Sequence, residues 1–271
     1  MNFIKFLRGN LLPLIIFTLI LTGYLIKDNE EANKTPVELR ELTIDRVIDG
    51  DTFESNGSRF RLLGINTPEK NEYLYNEAKN FFKGFEGNSS LFEAYGLDKY
   101  GRTLGYLHFG SLIINKELVL RGLASSYYYG DDSHKKDILK AELSARNNNL
   151  GIWQKSNNPC SQCIALDELY NGANENDCKA GVEFVRLKNI CSIKCDINRW
   201  LIKDSATHIY KFINISINPQ SSITLYGGRG NDSSSYLFWN NKDSCASIWN
   251  DDGDNLFLRD DKGLLVYHYR Y

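Results

Sequence analysis

Three short runs in the first half of the chain hold the residues best suited to chemistry. They are Asp49-Gly50-Asp51-Thr52, Arg61-Leu62-Leu63-Gly64-Ile65-Asn66-Thr67-Pro68-Glu69 and Asp98-Lys99-Tyr100-Gly101-Arg102. Each alone has an ordinary structural reading: a turn, a helix cap and a hairpin. Together they make a working set. The carboxylate of Asp51, the carboxamide of Asn66 and the carbonyl of Thr67 are hard oxygen donors suited to Ca²⁺, which takes oxygen ligands and keeps waters. Glu69 follows Asn66 by about one helical step and could take a proton from a water beside the metal. Arg61 and Arg102 carry the guanidinium fork that grips phosphoryl oxygens and neutralises charge building on phosphorus. One metal, one base and two guanidiniums suffice for phosphodiester hydrolysis.

Short strands and capped helices must position these groups. The run Leu42 to Ile48 alternates, Thr52-Phe53-Glu54 continues past Asp49-Gly50, and Asn56-Gly57 signals a tight hairpin with Arg59 to Ile65 as its return strand. Asp51 and Asn66 then stand at the ends of two strands joined by a hairpin and can face one point. Thr67-Pro68-Glu69 reads as a helix start, with Ala78, Phe81, Phe82 and Phe85 at helical spacing behind it. Arg102 to Phe109 reads as a strand, Asn115 to Arg121 as a short helix stopped by Gly122, and His134 to Asn147 as a longer helix. Strands first, with helices inserted and appended, predict a small barrel capped by helices.

The whole chain has 271 residues, 42% hydrophobic and 24% charged, with a net charge of −2. That composition excludes a disordered tail protein, a collagen and a multi-span membrane protein. From Glu41 to Ser156 there are 15 Lys and Arg against 16 Asp and Glu. No global basic field holds a polyanion, so affinity for long nucleic acids should be modest and salt-sensitive.

Gly9 to Ile26 is a run of 18 uncharged residues with Lys5 and Arg8 before it. At the helical rise it spans ~27 Å, just enough to cross the hydrocarbon of a bilayer. No small-x-small cleavage site follows, so the segment reads as an uncleaved transmembrane anchor, with a cleaved signal peptide as the alternative. Either way Lys5 and Arg8 stay inside and the rest is exported, to the outer face of the cell membrane or, after cleavage, into the medium. The organisation is residues 1–8 cytoplasmic, 9–26 anchor, 27–40 tether, 41–156 barrel, 157–166 Cys-containing linker and 167–271 a second domain. All six Cys, at 160, 163, 178, 191, 195 and 245, lie beyond the barrel. An even, clustered set in an exported chain points to disulfides, and four thiolates around a structural Zn are the alternative. Beyond the linker, about seven short strands separated by polar turns predict a β-sandwich.

Residues 42 to about 153 resemble the staphylococcal nuclease (thermonuclease) family. The matching stretches are V-I-D-G-D-T, F-R-L-L-G-I-N-T-P-E, D-K-Y-G-R-T-L-G-Y, L-V-L-R-G-L-A and N-L-G-I-W, in the family's order and spacing. The resemblance implies a five-stranded OB barrel with three helices and a Ca²⁺-dependent nuclease that cuts DNA and RNA to 3′-phosphate ends. It places Asp51, Asn66 and Thr67 on metal positions and Arg61, Glu69 and Arg102 on catalytic ones. Tyr100 and Tyr128 match aromatic positions lining the nucleotide pocket, where a ring can stack on a base, and Lys99 falls where it could touch a terminal phosphate. The family commonly has Asp where this chain has Asn66, so one negative charge is gone and weaker metal binding is expected. The segment between Glu69 and Asp98 is unlike the prototype's lysine-bearing loop.

The second domain looks like a lamin-tail domain, an immunoglobulin-like sandwich without a catalytic part. Trp200 and Trp239 read as core, and Asp251, Asp252 and Asp254 as a solvated turn. The expectation is a mainly β, two-domain protein: an exported, anchored nuclease whose sandwich places it at the cell surface or on a partner, with no obligate oligomer evident. The alternatives are a nucleic-acid-binding module that has lost turnover, and a surface interaction protein driven by the sandwich.

Overall fold

The structure is a computed structural model and describes residues 38–128, 130–172, 183–239, 248–251 and 253–271. The expected anchor over 9–26, the tether up to residue 37, and Cys178 and Cys245 lie outside these residues. Among the described residues, no helix is long and apolar enough to cross a membrane.

The N-terminal half contains β1 (Glu38–Thr43), β2 (Arg46–Val47), β3 (Thr52–Ser55), β4 (Ser58–Leu62), β5 (Ile65–Asn66), α1 (Tyr75–Lys83), β6 (Ser89–Leu97), β7 (Thr103–Phe109), β8 (Leu112–Ile113), α2 (Ile114–Leu120), β9 (Ser125–Ser126) and α3 (Lys135–Asn147). One curled sheet runs β1-β6-β7-β4-β3-β2, with β8 added on β7, and β5 pairs separately with β9. The sheet has more strands than the five expected. Strand β6 has no counterpart among the strands expected from alternation, because its outward side carries Leu91 and Leu97, 43% and 69% exposed, which blur the alternation of buried Ser90, Phe92 and Ala94. Asn56 and Gly57 both take positive φ (47° and 73°), the tight hairpin turn read from their types. Inside the curl, Phe53 stacks on Phe60 at 5.1 Å, and Phe82 and Phe92 meet Phe53 edge-on at 5.6 and 5.9 Å. These fully or nearly fully buried rings supply much of this core's apolar area.

The helix expected to start at Thr67 starts instead at Tyr75. At Thr67 the N–H and hydroxyl both donate to Asp51 Oδ2 at 3.0 Å, and no helix begins there. Asn71 and Leu74 then take φ of 75° and 66°, which no continuous helix allows. Residues 67–74 are an irregular segment, and α1 inherits only the downstream apolar face.

The C-terminal half contains β10 (Ile164–Tyr170), β11 (Phe184–Asn189), β12 (Cys195–Asp196), β13 (Leu201–Lys203), β14 (Ile209–Lys211), β15 (Ser216–Ile217), β16 (Ser222–Tyr226), β17 (Tyr236–Phe238), β18 (Asn255–Arg259) and β19 (Leu265–Arg270). Two four-stranded sheets, β10-β11-β16-β17 and β14-β13-β18-β19, build the expected sandwich. Its core holds Trp200 and Trp249, each 1% exposed, while Trp239 is half-buried against Tyr210 and Trp249. The four described Cys form two disulfides, Cys160–Cys195 and Cys163–Cys191, so these thiolates do not make a Zn site. Asp254 is no solvated turn residue: it is 3% exposed, and its carboxylate accepts from the backbone of Ser205 at 3.0 Å and the side chain of Asn250 at 2.9 Å.

The two halves share a third core of Ala145, Ile152, Trp153, Phe257 and Leu265, with Leu74 packed on it. Polar bonds rim it. Arg259 donates to Ile152 O at 2.7 Å, and Leu265 N and O bond Gln154 O and Ser156 N at 2.8 Å each. Arg146 Nη2 lies 3.1 Å from His268 Nδ1, and His268 Nε2 lies 2.9 Å from Asn255 Oδ1. Since guanidinium can only donate, Nδ1 accepts and Nε2–H donates, which makes the ring neutral. Burial, aided by Arg146, Arg259, Lys155 and Arg270, pulls the His268 pKa down to about 3.

Two outcomes follow. Phe257→Ala should destabilise the chain by about 3–5 kcal/mol and separate one calorimetric transition into two, since the ring belongs to the shared core; an unsplit, unshifted transition would contradict the shared core. His268 has a folded-state pKa below its ordinary 6.5, so the unfolded chain binds the extra proton. Its contribution is full above that ordinary value and is lost as pH falls toward about 3. Melting curves of the wild type and His268→Gln between these limits should therefore converge as pH falls, and a constant gap would contradict the neutral assignment.

Candidate active site

Asp51 ends the turn that follows β2. Its backbone is tied on both sides, with its N–H on Asp49 Oδ1 at 3.1 Å and its carbonyl on Leu62 N at 2.8 Å. Gly50 makes the turn possible: a Cβ there would stand 2.6 Å from Thr67 Oγ1, so only glycine lets the turn lie against Thr67. The Asp51 side chain, 5% exposed, accepts from Thr67 on Oδ2 and from Thr52 Oγ1 (3.1 Å) and Arg61 Nη1 on Oδ1. Arg61 Nη2 reaches across to Asn66 Oδ1 at 2.8 Å. One guanidinium fork thus spans the two side-chain oxygens that the sequence assigns to a metal. Asn66 is fixed in turn by the β5–β9 pairing, in which it faces Ser125.

This donor set suits a hard cation. A buried carboxylate oxygen and a carboxamide oxygen already share one positive group, and every lone pair they present is of the kind Ca²⁺ takes. Thr67 binds Asp51 through its N–H and hydroxyl, which holds its backbone against the same carboxylate. Asp49 adds a second carboxylate. Its pKa is pushed up to about 6, first by burial and then by the Asp51 charge.

Glu69 is half-buried beside this cluster. Burial raises its carboxyl above the ordinary value, the Asp51 and Glu72 charges add to that, and Lys203 and Arg61 oppose it. Its N–H donates to Glu72 Oε2 at 2.8 Å, and Glu72 N–H returns a bond to Glu69 O at 2.9 Å. A carboxylate lifted by burial near a guanidinium is a suitable proton acceptor for a water between them.

Arg102 is not part of the hydrogen-bonded cluster. It sits just ahead of β7, whose parallel pairing Phe60↔Thr103 and Arg61↔Leu104 carries it along β4 on Arg61's face of the sheet. Asp98 holds it, with Nε 2.7 Å from Oδ2 and the backbone N–H 2.9 Å from Oδ1. Tyr100 is 72% exposed, with Lys99 Nζ 5.2 Å and the Arg102 guanidinium 5.3 Å from its ring centre. Tyr100, Arg102 and Arg59 line an open groove along the start of β4. Tyr128 lies elsewhere, half-buried, its hydroxyl 3.0 Å from Tyr106 Oη, which donates to Asp132 at 2.8 Å. Gly64, at φ 75°, admits the Tyr128 hydroxyl to within 2.5 Å of where a Cβ would be. Burial pushes both phenols up, so both stay protonated.

Two features escape a reading of local motifs. Glu93 Oε2 holds both His108 Nε2 (3.0 Å) and His134 Nε2 (2.8 Å), with Tyr95 on its other oxygen. The carboxyl of Glu93 is held below its ordinary value by these bonds against the opposing effect of burial. An ionised carboxylate only accepts, so both Nε2 atoms carry hydrogens here, and a metal would require both rings to give them up. This trio braces the Tyr106 ring, 4.1 Å from His134. The second feature comes from the C-terminal sandwich. Asn66 Nδ2 donates to Ser205 O at 2.9 Å, and Lys203 Nζ bonds both Glu72 oxygens at 2.7 and 2.8 Å. No local signal marks Lys203 or Ser205, because the contact spans more than 130 residues of sequence.

Comparison with known proteins identifies the family. Residues 59–155 match the family model Staphylococcal nuclease homologue, and residues 161–271 match Lamin Tail Domain. A thermonuclease of Staphylococcus intermedius is 30% identical over 166 residues, covering 56% of this chain and 99% of the relative. A thermonuclease of Staphylococcus hyicus is 30% identical over 122 residues, covering 40% of this chain and 72% of the relative. The SPbeta prophage-derived endonuclease YokF of Bacillus subtilis (strain 168) is 29% identical over 142 residues, 44% of this chain and 46% of that protein. The chain belongs to the family of staphylococcal nuclease homologues, with a lamin tail domain following the nuclease-like half.

Proposed function

We propose that this protein is a Ca²⁺-dependent nuclease that hydrolyses phosphodiester bonds of DNA and RNA, with Glu69 as general base and Arg61 and Arg102 on the phosphate. The observation that carries this reading is the Arg61 fork across Asp51 and Asn66, with Glu69 electrostatically coupled to both Asp51 and Arg61. Family membership supports a nuclease in general. The donor types support Ca²⁺ in particular.

The roles follow from placement. Asp51, Asn66 and Thr67 would hold the cation, which when bound supplies positive charge to the phosphoryl oxygens. Glu69 takes the proton of a water that attacks phosphorus in line with the departing 5′ oxygen. Arg61 stands beside the cation ligands and binds a non-bridging oxygen. Arg102, carried on β4's neighbour strand and steadied by Asp98, meets the charge that grows on phosphorus. Tyr100, exposed next to it, offers a face for a base and Lys99 a cation for a terminal phosphate, while Tyr128 stands apart from that groove with its hydroxyl on Tyr106.

The same proposal places the enzyme outside the cell. The Cys160–Cys195 and Cys163–Cys191 disulfides support an oxidising compartment, and the apolar run Gly9 to Ile26 supports attachment to the membrane with a surface partner for the sandwich.

Release of acid-soluble nucleotides from single-stranded DNA tests the chemistry. Activity should require Ca²⁺ and vanish with a chelator. Glu69→Gln and Arg102→Ala should each lower kcat by about 10²- to 10³-fold, the scale of losing one group that stabilises transition-state charge. Normal turnover by either variant, or in chelator, would overturn the assignment.

A further inference from the structure

The sandwich does more than lie beside the nuclease-like half. Its β13–β14 turn reaches the site at two points, and both involve residues assigned above to the chemistry or to their support. Lys203, at the end of β13, closes a bidentate ion pair on Glu72, with side chains only 10% and 13% exposed. Glu72 in turn holds the N–H of Glu69. Two residues on, the Ser205 carbonyl accepts the Asn66 amide at 2.9 Å, and the Ala206 carbonyl stands 3.5 Å from the same nitrogen.

The turn is built to present these groups. Asp204 Oδ1 accepts the N–H groups of Ala206 and His208 at 2.9 and 3.0 Å, and Asp204 Oδ2 lies 2.7 Å from His208 Nδ1. Ser205 N–H is held by Asp254 at 3.0 Å, and Ser205 Oγ accepts from Asn255 N–H and Nδ2 at 3.1 and 2.8 Å. What it docks on lacks such support. Residues 67–74 have no helix or strand and contain two non-glycine residues at positive φ. Beyond Asp51, the segment's outside anchors include Lys203 on Glu72, Gln154 under the Tyr73 hydroxyl at 3.0 Å, and Gly263 against the Tyr73 ring. Lys203 and Gly263 belong to the sandwich.

We propose that the lamin tail domain completes the nuclease site, with Lys203 as a positioning residue that fixes Glu69 through Glu72, and the Ser205 carbonyl as the partner that fixes Asn66. This rests on the reading of Glu69 as base and Asn66 as cation ligand. It also accounts for the carboxamide at 66. A carboxylate has no hydrogen to give, so Asp at this position would set its oxygens against two carbonyls. The amide gives one oxygen to Arg61 and its hydrogens to the tail domain. Loss of Lys203 would leave Glu72 without its counter-charge beside Glu69, of the same sign; Glu72 would turn away to solvent and release the Glu69 backbone.

The test uses the whole chain, with single-stranded DNA and Ca²⁺. Lys203→Met should lower kcat by about 10- to 100-fold, the scale of a small misplacement of a catalytic group, while KM changes little. Lys203→Arg keeps the charge and should recover most of the rate. Glu72→Gln should lower kcat as Lys203→Met does, and the double variant should be no worse than either, since both break one link. Lys211→Met, on the neighbouring strand β14, serves as the control and should leave kcat unchanged. Glu69→Gln separates the two levels of argument. If Glu69→Gln is inactive while Lys203→Met turns over normally, or if the Lys203 and Glu72 losses multiply, the positioning role is overturned and the nuclease reading stands. If Glu69→Gln is fully active, the reading beneath it fails instead. Should Lys203→Met not fold, the Lys203→Arg and Glu72→Gln comparison carries the same decision.

Discussion

One buried carboxylate organises the candidate site of this molecule. Asp51 accepts from the backbone and hydroxyl of Thr67, from Thr52 and from the Arg61 guanidinium, and it is almost fully enclosed. A charge in that position is stable only while its partners remain; removing one partner of a buried pair typically costs about 3–5 kcal/mol. The consequence is geometric. Thr67 is tied to this carboxylate by two bonds, the chain runs on irregularly to Tyr75, and Glu69 stands beside the cluster instead of on a helix face. Arg61 is drawn across to Asn66, which lines up the oxygens that a hard cation would take. The turn at Asp49-Gly50, the β3–β4 hairpin and the β5–β9 pair all serve to bring their ends to this carboxylate.

The irregular segment that results is held from the other side by the tail domain. A shared core around Trp153 and Phe257 sets the two halves against each other, and the β13–β14 turn then falls on Asn66 and Glu72. The neutral residue at 66 and the docked sandwich are two parts of one arrangement. The amide gives up a negative charge at the proposed cation position and gains a donor toward Ser205. The resemblance assigns the tail domain no catalytic part; the structure adds the support that Asn66 and Glu72 receive from it.

Much of the site is legible in the sequence because its parts are local. D-G-D-T, the arginine at the β4 end and D-K-Y-G-R each fix a residue within a turn or strand end, and the Asn56-Gly57 hairpin brings the first two runs together. The sandwich is likewise readable from short strands and polar turns, and four clustered Cys do pair. Other features depend on distance. β6 is masked by leucines on its outer side, and Thr67, which reads locally as a helix cap, is instead tied to a carboxylate 16 positions earlier. Lys203 and Ser205 are an ordinary strand end and turn until the shared core delivers them to Glu72 and Asn66. Asp254 reads as one acid of a hydrophilic turn, and only the fold shows it buried beneath that same turn. Local chemistry is written in residue types; the groups that steady it are set by packing between halves, which no spacing rule encodes.

The central claim is that Asp51, Asn66 and Thr67 form a cation site beside the base. Calorimetric titration of the purified protein with Ca²⁺, beside Asp51→Asn shown by circular dichroism to be folded, addresses it most directly. The account predicts saturable binding of one ion per chain that the variant loses or weakens severely. Equal affinity in the two proteins, or no binding by the wild type at millimolar Ca²⁺, would contradict it.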